Sequence, residues 1–279
     1  MRGASRPQGL TGALIWTALS LAVAFAILPI LWGISTAFKA SGAAESFPPQ
    51  WVPRPITPEN FRQVLFGSNL VRYLWNSTVV AVATILATLG VAVHAGYAAA
   101  RFAFRGKNHL LFLILATAMI PGICILVPVY LLVTMTNLHN TYVALIIVYT
   151  AWQVPTAVWI MRGFFETVQP DLEEAALIDG CTRLGAFYRI ILPLTQPGMA
   201  AVGILVFVYV WNDFLIAFVL TISDEMRLIQ SGLYLYVTAF GVEWSKLMAA
   251  SILALLPPAV MFVLLQSRFI QGLTKGAIK

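Results

Sequence analysis

Charged residues are scarce in this sequence. Asp, Glu, Lys and Arg make up only 10% of its 279 residues, whereas soluble domains carry about 25%. Hydrophobic residues make up 60%, and the mean hydropathy is +0.86. This composition excludes an ordinary soluble domain and indicates a polytopic membrane protein.

Blocks of like charge are also missing. The formal net charge is +6, but the basic residues stand at the ends of apolar runs and do not form a patch. A protein that binds nucleic acid through its charge would cluster them. We therefore expect the charge to reflect membrane topology, and we expect no nucleic-acid partner.

Cysteine and histidine are too few to form a metal site or a disulfide framework. Cys124 lies in an apolar run and Cys181 in a charged loop, and neither their number nor their spacing suits either role. We expect two unpaired thiols and no metal. The sequence also lacks the clustered His, Asp and Glu of a membrane-embedded enzyme, so no catalytic residues are expected.

A nucleotide-binding loop is absent from the sequence. The pattern G-x-x-x-x-G-K-[ST] does not occur, because Gly106-Lys107 is followed by Asn108 and lacks the upstream glycine. Any ATP that drives this protein must therefore be hydrolysed by another chain. No cofactor is expected in this chain.

Long apolar runs, by contrast, dominate the sequence. A helix needs roughly 20 apolar residues to cross a bilayer, and barrel strands would instead alternate over about ten residues. The fold class predicted is therefore all-α, with six transmembrane helices. They are expected at residues 10–38, 76–100, 110–134, 142–161, 199–222 and 247–266.

The distribution of basic residues predicts the orientation. Eleven Lys and Arg residues fall in the connections on one side of the membrane and six on the other. Because positively charged loops stay in the cytoplasm, both termini and the loop 162–197 are expected there. The first apolar run is longer than a signal-peptide core, so we interpret it as a retained helix. The proline-rich segment 47–55 is expected to be an external loop.

The loop 162–197, called the E-A-A loop below, carries signals for two short helices. Pro170 suits a first helical position, and Gly180 suits the left-handed residue that ends a helix. Thr182 can cap a second helix, which Pro193 should stop. Glu174 and Asp179 offer carboxylates to basic groups on a partner, and the small Ala175 and Ala176 allow close approach. The alternative is an ordinary amphipathic surface helix.

Three short patterns follow one another in this loop. They are Glu174-Ala175-Ala176, then Asp179-Gly180, then Ile190-Ile191-Leu192-Pro193. Together they resemble the E-A-A, D-G and I-x-L-P signature of permease subunits of type I ABC importers. The resemblance implies a single MetI-like permease domain over residues 1–279. It also implies that the loop docks into a cleft on an ATP-binding subunit through Glu174, Ala175, Ala176, Asp179, Gly180, Ile190, Leu192 and Pro193.

Other segments resemble the carbohydrate-uptake branch of those permeases. They are Phe47–Pro53 with Thr57–Phe61, Asn76-Ser77, Gly96–Phe102, Trp211–Phe214 and Gln271–Lys279. The branch implies a sugar or sugar-derivative substrate and a location in the bacterial cytoplasmic membrane. The implied partners are a second homologous permease, two ATP-binding subunits that bind ATP and Mg, and an extracytoplasmic sugar-binding protein.

Charged residues within the spans are rare. Asp213 is the only charged residue well inside one, and such residues are costly and often functional. With Trp211 and Asn212 it is a candidate for the translocation path. The alternative is that Asn212 and Asp213 bond to neighbouring helices or to the paired permease.

An ion-gradient-driven transporter or channel is the second function considered. It would be favoured by several embedded carboxylates or by inverted repeats of broken helices, and the sequence offers one carboxylate and no evident repeat.

Overall fold

The computed structural model describes residues 10–277, with side chains described for residues 12–264. The α-helices are, in chain order, α1 (Leu10–Ala37), α2 (Glu59–Phe66), α3 (Leu70–Arg101), α4 (Lys107–Thr117), α5 (Gly122–Met135), α6 (Tyr142–Thr167), α7 (Pro170–Ile178), α8 (Arg183–Ala186), α9 (Leu192–Leu194), α10 (Gln196–Asn212), α11 (Leu215–Leu220), α12 (Ile229–Leu233) and α13 (Trp244–Ala277).

Shorter elements join these helices. A π-helical segment, Phe187–Ile191, links α8 to α9. Single 3₁₀ turns occupy Ala43–Glu45 and Tyr234–Tyr236. Strands β1 (Val237–Thr238) and β2 (Gly241–Val242) pair antiparallel as a small hairpin. The fold is therefore all-α apart from this hairpin in the described part of the chain.

Four described helices are long and apolar enough to cross a membrane. They are α1, α3, α6 and α13, and each of two bent pairs of helices adds one more if it is counted as a single span. The total of six then agrees with the predicted number. The pairs are α4 with α5, and the run Arg183–Leu194 with α10.

The third predicted span is broken, which corrects the prediction of one helix over 110–134. Helix α4 ends at Thr117, α5 begins at Gly122, and their axes differ by 89°. Pro121 precedes the new helix, lacks a backbone N–H and disfavours helical geometry at Ile120. The break therefore has a local cause that a count of apolar residues does not register.

The fifth predicted span, 199–222, is also discontinuous. Helix α10 begins earlier, at Gln196, and ends at Asn212; α11 begins at Leu215. Asp213 has extended backbone angles at this break. Its Oδ2 accepts hydrogen bonds from the N–H groups of Ile216 and Ala217, so the carboxylate caps the first turn of α11.

The described contacts divide the chain into two compact units. The first contains the described residues up to Asn69 together with Leu235–Leu253. In it, the predicted external loop has no helix over residues 46–58, but it is followed by α2, which the sequence analysis did not predict. Buried Asn60 of α2 donates to the carbonyl oxygens of Ala37 (2.8 Å) and Lys39 (2.7 Å).

The second unit contains Leu70–Tyr234 and the chain from Ala254 onward. Helices α3 and α6 form its centre, and α10 packs against both. The two helices approach closely at Gly96, because a Cβ built there would lie 2.9 Å from Met161 Cβ and 3.0 Å from Arg162 N. Small residues at such crossings let two backbones come together within a membrane.

Some predicted features lie at the chain ends. The N-terminal arginines used for the orientation, and Ile278 and Lys279 of the C-terminal signature, lie outside the described residues. The remainder of that signature, Gln271–Ala277, continues helix α13, but its side chains are not described.

Candidate functional site

The first helix of the E-A-A loop is bounded as its sequence predicts. Pro170 occupies the first position of α7, and Asp171 and Glu173 lie in the first turn. Gly180 has φ +87° after the last turn. The N–H of Cys181 bonds to Ala176 O (2.9 Å) and that of Gly180 to Leu177 O (3.1 Å), which is a Schellman ending.

The second helix starts as predicted but ends later. Thr182 Oγ1 accepts from the N–H of Gly185 (3.1 Å), which caps α8. The helical run then passes through the π-helical segment Phe187–Ile191 and ends at Leu194, so the predicted stop at Pro193 is wrong. A widened π turn relieves the clash between a proline ring and the carbonyl four residues earlier.

A buried ion pair attaches α7 to α3. Glu173 Oε1 accepts from the Tyr97 hydroxyl (2.5 Å), and Glu173 Oε2 lies 3.3 Å from Arg101 Nε. Arg101 also donates to the carbonyl oxygen of Val168 (2.7 Å). The side chains of Glu173 and Arg101 are only 11% and 12% exposed. The loop is therefore held to the membrane helix by a desolvated charge pair with further hydrogen bonds.

Aromatic rings attach the second part of the loop to α3 and α6. The Phe187 ring lies 4.6 Å from that of Tyr97 and 6.1 Å from that of Phe165. Tyr188 contacts His94, with 2.7 Å between its hydroxyl and Nε2. His94 Nδ1 faces the Gly90 carbonyl, which only accepts, so in the neutral ring Nε2 accepts the Tyr188 proton.

The predicted docking residues differ in exposure. Glu174, Ala175, Asp179, Gly180 and Pro193 are exposed, Ile190 and Leu192 are half-buried, and Ala176 is buried. Since Ala176 is 3% exposed, it packs within the loop and does not form its outer surface.

Two exposed apolar residues were missed by the sequence reading. Ile178 is 85% exposed and Leu184 is 67% exposed. Ile178 lies four residues after Glu174 and so on the same face of α7. Helical periodicity counted from Glu174 would have found it.

The candidates for the translocation path lie in different surroundings. Trp211 is buried, stacks on Phe207 at 5.1 Å and donates to the carbonyl oxygen of Ala254 (3.1 Å). Asn212 is exposed and donates to Val208 O of its own helix (2.8 Å). Asp213 accepts from the Tyr149 hydroxyl (2.9 Å) in addition to capping α11.

Of these three residues, Asp213 alone lines a described cavity. The cavity has a volume of about 210 Å³. It is lined by Gly122, Ile123, Leu126, Trp152, Tyr209, Asp213, Leu215 and Ile216.

Asparagine side chains hold the loop between α11 and α12. Buried Asn76 donates to the carbonyl oxygens of Glu225 (2.8 Å) and Arg227 (2.9 Å). Asn140 Oδ1 accepts from the N–H groups of Ile222 (3.0 Å) and Ser223 (3.1 Å). Such long-range amide contacts leave no periodic signal in a sequence.

The sequence of this chain is similar to those of known transport proteins. Residues 92–275 match the family of binding-protein-dependent transport system inner membrane components. The sulfoquinovosyl glycerol transport system permease of Agrobacterium fabrum is 34% identical, covering 94% of this chain and 92% of that protein. The diacetylchitobiose uptake system permease of Streptomyces coelicolor is 33% identical, covering 95% and 97%.

A solved structure has the same fold. A bacterial ABC transporter involved in the import of the acidic polysaccharide alginate aligns with a TM-score of 0.81 at 22% identity, covering 96% of this chain and 100% of that one. The predicted type I ABC importer permease fold is thus confirmed. With a family match across its central and C-terminal parts and relatives a third identical along nearly all of its length, the chain belongs to the binding-protein-dependent transport system inner membrane components.

Proposed function

We propose that this chain is a permease subunit that moves a sugar or sugar derivative across the bacterial cytoplasmic membrane, coupled through its E-A-A loop to ATP hydrolysis by partner subunits. The sugar class is supported by the relatives, whose names specify sulfoquinovosyl glycerol, diacetylchitobiose and trehalose/maltose transport. The observation that carries the coupling role is the E-A-A loop, which is anchored on one side and exposed on the other.

The two sides of this loop have different chemistry. Glu173 and Phe187 are buried against α3, whereas Glu174, Ile178 and Leu184 face outward. An exposed carboxylate beside two exposed aliphatic side chains suits a partner groove that has an apolar floor and a basic rim. Because the anchor is a buried ion pair and a ring cluster, force applied to this face passes directly to α3.

The proposed assembly contains a second homologous permease, two ATP-binding subunits and an extracytoplasmic sugar-binding protein. ATP and Mg belong to the ATP-binding subunits. Closure of those subunits would move the docked loop and, through Glu173 and Tyr97, the helix α3. The cavity between the permeases would then change from inward-facing to outward-facing, and reopening of the pair would reset it. Both chain termini would be cytoplasmic.

Glu174→Gln is expected to reduce sugar uptake by about tenfold while the protein still reaches the membrane. The substitution removes one exposed charge from the docking face, and a charge-assisted contact with a basic partner is worth about 1.5–3 kcal/mol. Uptake of radiolabelled sugar and ATP hydrolysis should be measured on the reconstituted transporter.

Glu59→Gln is the matched control for this change. Glu59 is an exposed carboxylate of α2, on the side of the membrane opposite the loop in the proposed topology, and its replacement should leave uptake unchanged. Wild-type uptake by the Glu174→Gln transporter would remove Glu174 from the docking face.

The β1–β2 hairpin is a candidate contact for the binding protein. Phe240 at its tip is fully exposed. The connection between the fifth and sixth predicted spans contains the hairpin, and in the proposed topology this connection would be external. Phe240→Ala should lower the stimulation of ATP hydrolysis by sugar-loaded binding protein at least about fivefold, because an exposed aromatic at a tip acts as an interface anchor.

Basal ATP hydrolysis by the Phe240→Ala transporter, measured without binding protein, should match that of the wild type. Phe47→Ala is the control, since Phe47 is 95% exposed but lies in the proline-rich loop. Equal loss of stimulation in both variants would count against a specific hairpin contact.

A further inference from the structure

We propose that the cavity of about 210 Å³ beside Asp213 is a subsite for one uncharged sugar ring, held by Trp152, Tyr209 and Asp213. The inference rests on the proposed function, which it deepens by giving this subunit a direct contact with substrate. None of the comparisons assigns a substrate contact to these residues.

The helices around the cavity are broken within predicted membrane spans, where lipid cannot satisfy free backbone N–H and C=O groups. Helices α4 and α5 meet at 89°, and Gly122, the first residue of α5, lines the cavity. Helix α10 breaks at Asp213, which also lines it. Non-helical backbone occurs at membrane depth only where it is buried in protein or faces a polar cavity. Two separate breaks converge here.

The polar groups at the cavity have spare hydrogen-bonding capacity. Asp213 Oδ2 is fully used by Tyr149, Ile216 and Ala217. Among the described residues, no hydrogen bond occupies Asp213 Oδ1, the Tyr209 hydroxyl or the indole N–H of Trp152. Three residues that line the cavity therefore each retain a group able to accept or donate a hydrogen bond, and a polyhydroxylated ring offers complementary partners to each.

The aromatic residues are held in fixed positions. A Cβ built at Gly122 would lie 2.9 Å from Trp152 Cζ2, so the glycine is what allows the indole to lie against the start of α5. The Tyr209 ring meets that of Tyr149 edge-on at 6.4 Å. Flat apolar faces beside a few convergent polar groups are typical of small-molecule sites.

Size and charge define the occupant. The volume is below the roughly 300–1,000 Å³ of pockets that enclose a drug-sized ligand, so the cavity fits a single ring and the remainder of the sugar would lie outside it. The residues that line it include an acid and no Lys or Arg. A carboxylated or sulfonated ring would therefore lose its hydration without gaining a cation, and an uncharged ring is preferred.

The test is equilibrium binding of radiolabelled sugars to the purified permease–ATPase assembly without binding protein. The uncharged probes are trehalose, maltose and diacetylchitobiose, and the anionic probe is sulfoquinovosyl glycerol. Tyr209→Phe removes one hydroxyl that has no protein partner. Its Kd for the transported uncharged sugar should rise about two- to tenfold, the effect of one lost hydrogen bond. Gly122→Ala, which displaces Trp152, should weaken binding at least as much.

Tyr130→Phe and Trp159→Phe are the controls, because both residues are exposed and do not line the cavity; their Kd should equal that of the wild type. The subsite is overturned if Tyr209→Phe binds like Tyr130→Phe, if a wild-type assembly that takes up an uncharged sugar shows no direct binding, or if the sulfonated sugar binds as tightly as the uncharged ones. Failure of the wild type to take up any member of a broad panel of sugars with its binding protein would instead overturn the proposed function.

Discussion

Glu173→Ala is expected to lower the free energy of unfolding by about 3 kcal/mol and to abolish coupled uptake. Breaking a buried ion pair by removing one partner costs about 3–5 kcal/mol, because the other charge stays buried without compensation. Here the uncompensated group is Arg101, whose side chain is 12% exposed. The Tyr97 hydroxyl loses its acceptor in the same substitution.

Chemical unfolding of the purified protein in detergent, followed by circular dichroism, measures the first effect. Glu166→Ala is the matched control. It also removes a carboxylate from an ion pair, with 2.7 Å to Arg162 Nε, but Glu166 is 47% exposed. Surface pairs contribute about 0–1 kcal/mol, so a loss as large as that of Glu173→Ala would contradict the burial argument.

Glu173→Gln tests the charge of the Glu173 side chain separately from its hydrogen bond. The amide oxygen still accepts from Tyr97, but the attraction to Arg101 is lost. We expect intermediate stability and uptake. If Glu173→Gln retained full uptake, the hydrogen bond and not the ion pair would hold the E-A-A loop to α3.

Gly96→Ala is expected to destabilise the protein by about 2 kcal/mol. The new methyl group would come within 2.9 Å of Met161 Cβ and 3.0 Å of Arg162 N. Backbone and Cβ atoms do not swing aside as the end of a flexible side chain does, so α3 and α6 would have to separate. Overpacking of this kind costs about 1–3 kcal/mol, and the separation would also disturb the neighbouring Tyr97.

Gly90→Ala on the same helix is the control for this prediction. Apart from its chain neighbours and the nearby backbone of its own helix, no described atom lies within 4 Å of a Cβ at Gly90, and alanine is a better helix former than glycine. The variant should be as stable as the wild type or slightly more so. Equal destabilisation by both substitutions would show that the crossing at Gly96 is not tight.

Local signals predicted both ends of α7 and the start of α8, but not the end of the second helical run, and contacts between distant residues escaped prediction. Pro170, Gly180 and Thr182 act through their own backbone or the next turn, so their roles can be read from neighbouring residues. Glu173 gave no such signal. Its partners Tyr97 and Arg101 lie more than 70 residues earlier, and the adjacent Glu174 looked equivalent in the sequence.

The number of spans was predictable from apolar length, but apolar length did not show where two of the spans are broken. Apolar length alone identifies α1, α3, α6 and α13, because lipid demands about 20 apolar residues whatever their order. The same count predicted unbroken helices across Pro121 and Asp213, where the helices in fact break. Pro121 is a local signal for the first break. The second break is recognised only from the structure, where Asp213 caps the N–H groups of Ile216 and Ala217.

The π-helical segment Phe187–Ile191 affects how the E-A-A loop is rotated about the helix axis relative to the membrane helix that follows. A π turn contains one residue more than an α turn, and each residue advances an α-helix by about 100°. Because the widened turn accommodates the extra residue, deleting one residue here would let an ordinary α-helix form with the flanking segments near their present rotation. Deleting a residue from an α-helical turn on either side would instead rotate the loop by that angle relative to the membrane helix.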